Sequence, residues 1–237
     1  MLKFLGTGSA FNTSYGNNSA YIKSEDEESL LLIDCGETVF AEIQKNRLLD
    51  GVKHVYVVIT HLHGDHIGSL SSFIMYCHYV ANIKLNIIHP NMKIESVLTT
   101  MGAIKDEMYD LETCENIELD DFKLNLYMRG ANHVSDMESY SIIMQDTVGC
   151  GFNLYYSGDS NTIDEEILGL LNSGYFDCFY QDTSSIDYEG NVHLSFKKLK
   201  ELVNPDIRFR VTCMHLDGRL SNEEILREGF QVAKKEF

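Results

Sequence analysis

The sequence predicts an α/β protein in which helices cover two central sheets, and three observations carry that expectation. Apolar runs of strand length alternate with segments of helical spacing in both halves of the chain. Hydrophobic residues make up 44% and charged residues 23% of the 237 positions, the ordinary balance of a globular chain. Only two prolines occur, which leaves little room for long linkers, so 1–237 is expected to form one domain.

Residues 2–5 and 20–23 read as short strands flanking a loop rich in glycine and asparagine, and 29–34 as a buried strand ending in Cys35-Gly36. Segment 37–49 has helical spacing, with Val39, Phe40, Ile43 and Leu48 on its apolar face. A strand at 55–59 leads into a polar turn and then a helix through about residue 81; strand 84–89 and a helix from Asn91 follow. The middle, 116–128 and 139–156, alternates in the manner of strands. Helix 164–171, strand 177–181, helix 195–203 with Ser195 as its cap, strand 207–213 and helix 223–235 complete the expected order. Neither an internal repeat nor a low-complexity segment interrupts it.

The densest chemistry lies in the turn after 55–59, where 60–68 reads Thr-His-Leu-His-Gly-Asp-His-Ile-Gly. Imidazole and carboxylate suit a borderline divalent ion such as zinc, and a cluster this dense is poorly explained by solvated histidines. Alternation directs His61 and His63 one way, while Asp65 and His66, around the turn glycine Gly64, reach toward a second ion. Three later residues, His133, Asp159 and His215, each follow an apolar strand, where the loops of a layered fold gather a site. His54, His78 and His89 read as ordinary packing or solvent contacts. Tyr155, Tyr156 and the aromatic residues of 176–180 read as core, whereas Tyr188 sits in a loop before His193 and could reach a base or sugar.

Net charge and cysteine usage narrow the partners. A charge of -17 disfavours a long nucleic acid, because phosphate gripping calls for clustered Lys and Arg. The two basic groups, 197–200 and 234–235, read as solvated helix faces. Cys35, Cys77, Cys114, Cys150, Cys178 and Cys213 contain no CxxC pair, so reduced thiols in a cytoplasm are expected. Residues 1–10 lack the pattern of a signal peptide, and no apolar run is long enough to span a bilayer.

The motif His61-Leu-His63-Gly-Asp65-His66, with His133, Ser157-Gly-Asp159 and His215, resembles the metallo-β-lactamase fold superfamily over essentially the whole chain. The opening Leu2-Lys-Phe-Leu-Gly-Thr-Gly-Ser-Ala10 and Leu32-Ile-Asp-Cys-Gly-Glu37 are similar to the tRNase Z and small cyclic-nucleotide phosphodiesterase branch, which includes phage proteins of the anti-Pycsar type that destroy cyclic nucleotide signals. The resemblance implies a four-layer αββα sandwich with two divalent ions, zinc or alternatively manganese. His61, His63 and His133 would bind one ion, Asp65, His66 and His215 the other, and Asp159 would bridge them. It implies attack on phosphorus by a hydroxide held between the ions, oriented by Asp65. By the same resemblance His193 would protonate the leaving oxygen. The branch has a glutamate at the preceding strand end, here replaced by Gln181-Asp182; Asp182 is the candidate carboxylate. The branch is commonly dimeric, so a homodimer is expected.

Three functions follow. A phosphodiesterase for a compact diester, foremost a cyclic nucleotide, suits the acidic surface. A tRNA 3′-processing endonuclease would need a gripping arm between the residues matching His133 and Asp159, where only 134–158 lie. A nucleotide binder without hydrolysis would not need the complete ligand set.

Overall fold

A computed structural model gives the structure of the protein and describes residues 2–148 and 151–237. The first sheet has the order β1 (Lys3–Gly6), β2 (Ser19–Lys23), β3 (Ser29–Ile33), β4 (His54–Val58), β5 (Leu85–Ile88), β6 (Tyr109–Glu112). β1, β2 and β3 pair antiparallel, and β3 through β6 run parallel. The second sheet contains β7 (Asn116–Leu119), β8 (Leu124–Ala131), β9 (Ser139–Asp146), β10 (Asn153–Tyr156), β11 (Cys178–Asp182), β12 (Val211–Met214) and β13 (Gln231–Val232), paired in chain order. β7 to β10 are antiparallel and β10 to β13 parallel. Helices α1 (Val39–Lys45), α2 (Gly64–Ile67), α3 (Leu70–Tyr76) and α4 (Lys93–Thr100) belong to the first half, and α5 (Glu165–Asn172), α6 (Phe196–Leu202) and α7 (Asn222–Arg227) to the second.

Strand alternation separates the core into three apolar interfaces. Leu30, Leu32, Val55, Val57, Leu85 and Ile87 turn outward against α1 and α3, where Val39, Ile43, Phe73 and Ile74 meet them. Their neighbours Leu31, Ile33, Val58 and Ile88 turn inward onto Ile142, Met144, Leu154, Tyr156 and Met214 of the second sheet. The opposite face of that sheet packs Ile143, Tyr155, Phe179, Val211 and Cys213 against Ile167, Leu171, Phe196, Leu199 and Ile225 of α5, α6 and α7. Three interfaces make four layers, the expected αββα sandwich.

Several expected boundaries move. The helix expected through residue 81 breaks into α2, α3 and a π-turn at Cys77–Ala81 that ends on Asn82 in the left-handed region. Residues 207–210 belong to a 3₁₀ turn, Pro205–Arg210, capped by the Asn204 side chain, so β12 begins only at Val211. The closing helix stops at Arg227 because Gly229 adopts φ 91°, and the chain then adds the edge strand β13. Lys235 therefore lies beyond β13 rather than on a helix face, paired with Glu42 at 2.9 Å. The strand β6 was hidden in a polar sequence, Tyr-Asp-Leu-Glu. Ser195 caps α6 as expected, its Oγ accepting from the Lys198 N–H at 3.2 Å. Cys35, Cys77 and Cys213 are buried, Cys114 and Cys178 half-buried, and all five are free thiols; Cys150 lies outside the described residues. Among the described residues no helix is long and apolar enough to cross a membrane.

Candidate dinuclear metal centre

Five strands, β4, β8, β10, β11 and β12, deliver their C-terminal ends to one edge of the sandwich, where both sheets contribute side chains. β4 runs into His61, His63, Asp65 and His66; β8 into His133; β10 into Asp159; β11 ends on Asp182; β12 into His215. The main chains of the two sheets join here through the Tyr140 N–H, which donates to the Thr60 carbonyl at 3.1 Å.

The structure brings all seven sequence-expected ligands into two groups that could each hold a metal ion, one of His61, His63, His133 and Asp159, the other of Asp65, His66, Asp159 and His215. In the first, His63 Nδ1 lies 3.0 Å from His61 Nε2 and 3.2 Å from His133 Nε2, with Asp159 Oδ2 at 3.7 and 3.8 Å from those Nε2 atoms. In the second, His66 Nε2 is 3.3 Å from Asp65 Oδ2 and 3.3 Å from Asp159 Oδ1, and His215 Nε2 is 3.3 and 3.5 Å from the same two oxygens. A tetrahedral ion with bonds of about 2.0–2.1 Å requires donor separations of about 3.3–3.4 Å. Both donor sets therefore fit divalent metal binding, and the buried His66 Nε2 and Asp159 Oδ1, which have no hydrogen-bond partner, point to the same need.

The outward nitrogens of His66 and His133 are held by hydrogen-bond acceptors and that of His215 lies within ion-pair distance of a carboxylate, which frees the inward ones. His66 Nδ1 lies 2.8 Å from Asp34 Oδ2, His133 Nδ1 3.0 Å from the Val192 carbonyl, and His215 Nδ1 3.2 Å from Asp182 Oδ1. Asp34 is fixed in turn by the Thr60 N–H and hydroxyl at 2.8 and 2.9 Å. Asp34 was read only as part of a flanking segment. Its signal was available in the pattern itself, an aspartate just past an apolar strand, as at Asp159.

Of the glycines Gly36 and Gly64 beside the donors, only Gly36 is required, and by close packing rather than turn geometry. Gly64 has no positive φ and is the first residue of α2, where a Cβ would meet only the Glu37 carboxylate at 3.5 Å; the expected turn glycine is an ordinary helix position. Gly36 is the stringent one, because a Cβ there would overlap the backbone carbonyl of Asp65.

Electrostatics follow from burying carboxylates together. Burial works against ionised Asp65 and Asp159, yet the surrounding histidines hold both well below the carboxylate range. Burial lowers His66 and His215, but the carboxylates outweigh it: Asp159 and Asp34 push His66 up, and Asp159 and Asp182 push His215 up to about 10. His61 moves the other way, lowered by burial and by the charge on His66. The site draws positive charge.

His193 and Asp182 complete the arrangement. His193 Nδ1 lies 2.7 Å from Asp182 Oδ2, which also accepts from the Ser160 N–H at 3.1 Å. Of the pair Gln181-Asp182, the aspartate is thus the carboxylate that contacts His193, while the Gln181 amide donates to the Asp182 carbonyl. His193 stacks on His215 with ring centroids 5.0 Å apart and lines, with His63, Asp65 and His133, a cleft of about 440 Å3. The remaining histidines are elsewhere: His89 Nδ1 is 2.9 Å from the Ile59 carbonyl, His78 Nε2 is 3.7 Å from Glu107, and His54 is exposed at the start of β4.

The family profile of the anti-Pycsar protein Apyc1 matches residues 1–236. The chain belongs to that family. An Apyc1 protein of Bacillus phage BSP38 is 29% identical, covering 93% of this chain and 90% of its own length, and one from Paenibacillus harenae is 28% identical with 85% and 83% coverage. Among solved structures, the metallo-β-lactamase fold protein YhfI from Bacillus subtilis superposes with TM-score 0.73 at 16% identity, covering 100% of this chain and 97% of that one. A diphosphatase of the PhnP family gives 0.75 at 18% identity (100% and 95%), and human tRNase Z, short form, 0.71 at 18% (100% and 97%). At these identities the likeness is one of fold, and it places this Apyc1 family member in the metallo-β-lactamase fold.

Proposed function

We propose that this chain, acting as one hydrolase domain over 1–237, is a dinuclear metal-dependent phosphodiesterase whose substrate is a small phosphodiester, foremost a cyclic nucleotide. The observation that carries the reading is the pairing of two adjoining donor groups that share Asp159 with a histidine held by Asp182 on the wall of the same cleft. Membership of the anti-Pycsar family supports a cyclic nucleotide as the diester. The proposal includes zinc, with manganese as the alternative, a cytoplasmic location consistent with five free thiols, and a homodimer as in the branch the sequence resembles.

His61, His63 and His133 would hold one ion, Asp65, His66 and His215 the other, with Asp159 offering one carboxylate oxygen to each. Ions bound there would acidify water and offset charge on the phosphoryl oxygens. Asp65, ionised and facing the cleft, would orient the attacking water. Asp182 keeps the Nδ1 of His193 engaged and its carboxylate, outweighing burial, raises the proton affinity of the ring. His193 thus holds a proton for the oxygen that leaves as the P–O bond to the sugar breaks.

A tRNA-processing role is less well supported, because the described residues of 134–158 contain the sheet strands β9 and β10 and add no projecting arm. The deciding measurement is turnover of cyclic mononucleotides, bis(p-nitrophenyl) phosphate and a precursor tRNA with zinc or manganese. Cyclic mononucleotides are expected to be cleaved fastest. Faster cleavage of the tRNA overturns the choice, and binding of a cyclic nucleotide without turnover of any diester makes the protein a sequestering binder.

A further inference from the structure

Beside the metal cleft, sharing Phe11, Val192, His193 and His215 with it, lies a second chamber of about 330 Å3. Its rim carries Phe11, 97% exposed, Tyr188, 53% exposed, and Ile186, 41% exposed. A single exposed phenylalanine is unremarkable on a protein surface. Three large apolar side chains around one hollow, sharing a wall with a site of chemistry, are not scattered.

Both loops that present these rings are tied down. The Ser9 N–H and the Asn12 side-chain amide both donate to the Leu216 carbonyl, at 3.1 and 2.9 Å, on either side of Phe11. On the other wall, Asn191 donates to the Ile186 carbonyl at 2.7 Å and accepts from the His193 N–H at 3.1 Å, joining the Tyr188 loop to His193. Ser184, Asn191 and Asp217 of the chamber are already engaged within its wall. Asp217 accepts from the Ser185 N–H and hydroxyl at 2.9 and 2.6 Å and from the Arg219 N–H at 2.9 Å. What the chamber offers a ligand is aromatic and apolar surface.

We propose that this chamber seats the base of the nucleotide substrate, with Phe11 and Tyr188 holding its faces while the phosphate occupies the cleft. The inference rests on the phosphodiesterase reading. Phe11, His193 and His215 border both hollows, His63, Asp65, His133 and Asp159 face the cleft alone, and Ile186 and Tyr188 face the chamber alone, so a phosphate among the metal donors would leave its base against Phe11 and Tyr188. Base stacking on aromatic side chains is sequence-tolerant and strong enough to govern affinity without edge-reading hydrogen bonds.

The test compares Phe11→Ala, Tyr188→Ala and Tyr188→Phe on cyclic AMP and on base-free ribose 3′,5′-cyclic phosphate, with sedimentation of each variant. Each alanine variant is expected to lose about tenfold in kcat/KM on cyclic AMP, mainly through KM, and to stay within about twofold of the parent on the base-free diester. Tyr188→Phe should retain parental values. Equilibrium binding of cyclic AMP to metal-stripped protein should weaken by the same factor in the alanine variants. Unchanged KM and binding, or equal losses on both substrates, overturn the assignment; equal losses with altered sedimentation give the rim to contact between copies of the chain instead. Failure of the parent protein to cleave either diester defeats the phosphodiesterase reading, while the binding arm still judges the base seat on its own.

Discussion

Replacing Asp182 by asparagine removes one charge from a fully buried position without changing its size, and the contacts fix what should follow. Its Oδ2 holds His193 Nδ1 at 2.7 Å, and its Oδ1 stands 3.2 Å from His215 Nδ1. Burial alone would lower the proton affinity of His193, and the Asp182 charge is the foremost contribution that reverses it. A charge-assisted hydrogen bond contributes about 1.5–3 kcal/mol, so its loss leaves the imidazolium about 10- to 100-fold less populated at a given pH. In the parent, a raised proton affinity keeps His193 protonated to higher pH, and the rate falls as pH rises through that ionisation. In Asp182→Asn the fall should come at lower pH, with a loss of about 10- to 100-fold near pH 8 on cyclic AMP and little loss on bis(p-nitrophenyl) phosphate, whose leaving group needs no proton. Because the substitution also touches His215, metal content must be measured and saturating metal supplied. An unmoved basic limb in metal-replete variant, or equal losses on both substrates, refutes the role of His193 as proton donor.

The remaining predictions concern assembly of the site. Loading the metal-free protein at neutral pH should release protons, because the raised proton affinities of His66 and His215 favour charged rings that an ion must displace; calorimetry in buffers of different ionisation heat reads this directly, and zero release would contradict the reading. Gly36→Ala forces a methyl group into the Asp65 carbonyl and should cost about 3 kcal/mol, or about 6–12 °C in Tm, whereas Gly130→Ala, where a Cβ meets nothing within 4 Å, should change little. Tyr156→Phe removes the nearer acceptor of the Asn18 amide, at 2.7 Å inside the sandwich, and leaves it the weak Met214 Sδ at 3.7 Å, an expected loss of about 1–3 kcal/mol by thermal denaturation with little effect on turnover at 25 °C.

The gathering of these side chains was legible in the sequence for one physical reason: the candidate ligands come from strand ends, and strand ends are marked by apolar runs that stop. His61, His63, Asp65 and His66 stand in one such turn, and His133, Asp159 and His215 each follow another. What pattern could not supply was the far side of each imidazole. Asp34 supports His66 from the adjacent parallel strand, and the choice of Asp182 over Gln181 depends on which residue of β11 turns toward His193. The fold was legible where alternation is strong, as in β3 and β4, and failed where it is weak. β6 is half polar, β13 has two residues, and the 3₁₀ turn 205–210 has a spacing that a short strand can imitate. Gly64 misled because glycine suggests a turn by composition, while the need for glycine at Gly36 arises from a contact 29 positions away, with Asp65.

The same contacts explain why a chain with net charge -17 tolerates four aspartates in one buried place. Asp34, Asp65, Asp159 and Asp182 are all buried and each lies within ion-pair distance of a histidine: Asp34 and Asp182 face the Nδ1 atoms of His66 and His215, and Asp65 and Asp159 face their Nε2 atoms. Without ions, protonated His66 and His215 offset part of that charge; bound ions would offset more and remove the protons. The donors are divided between the sheets, 61–66 following β4 of the first and His133, Asp159 and His215 following strands of the second. Neither sheet alone holds either of the two groups that contain 61–66, so closing the central apolar interface and assembling those two groups are one event. A cation that binds only the assembled edge must then stabilise the packing of the sheets by the free energy with which it binds.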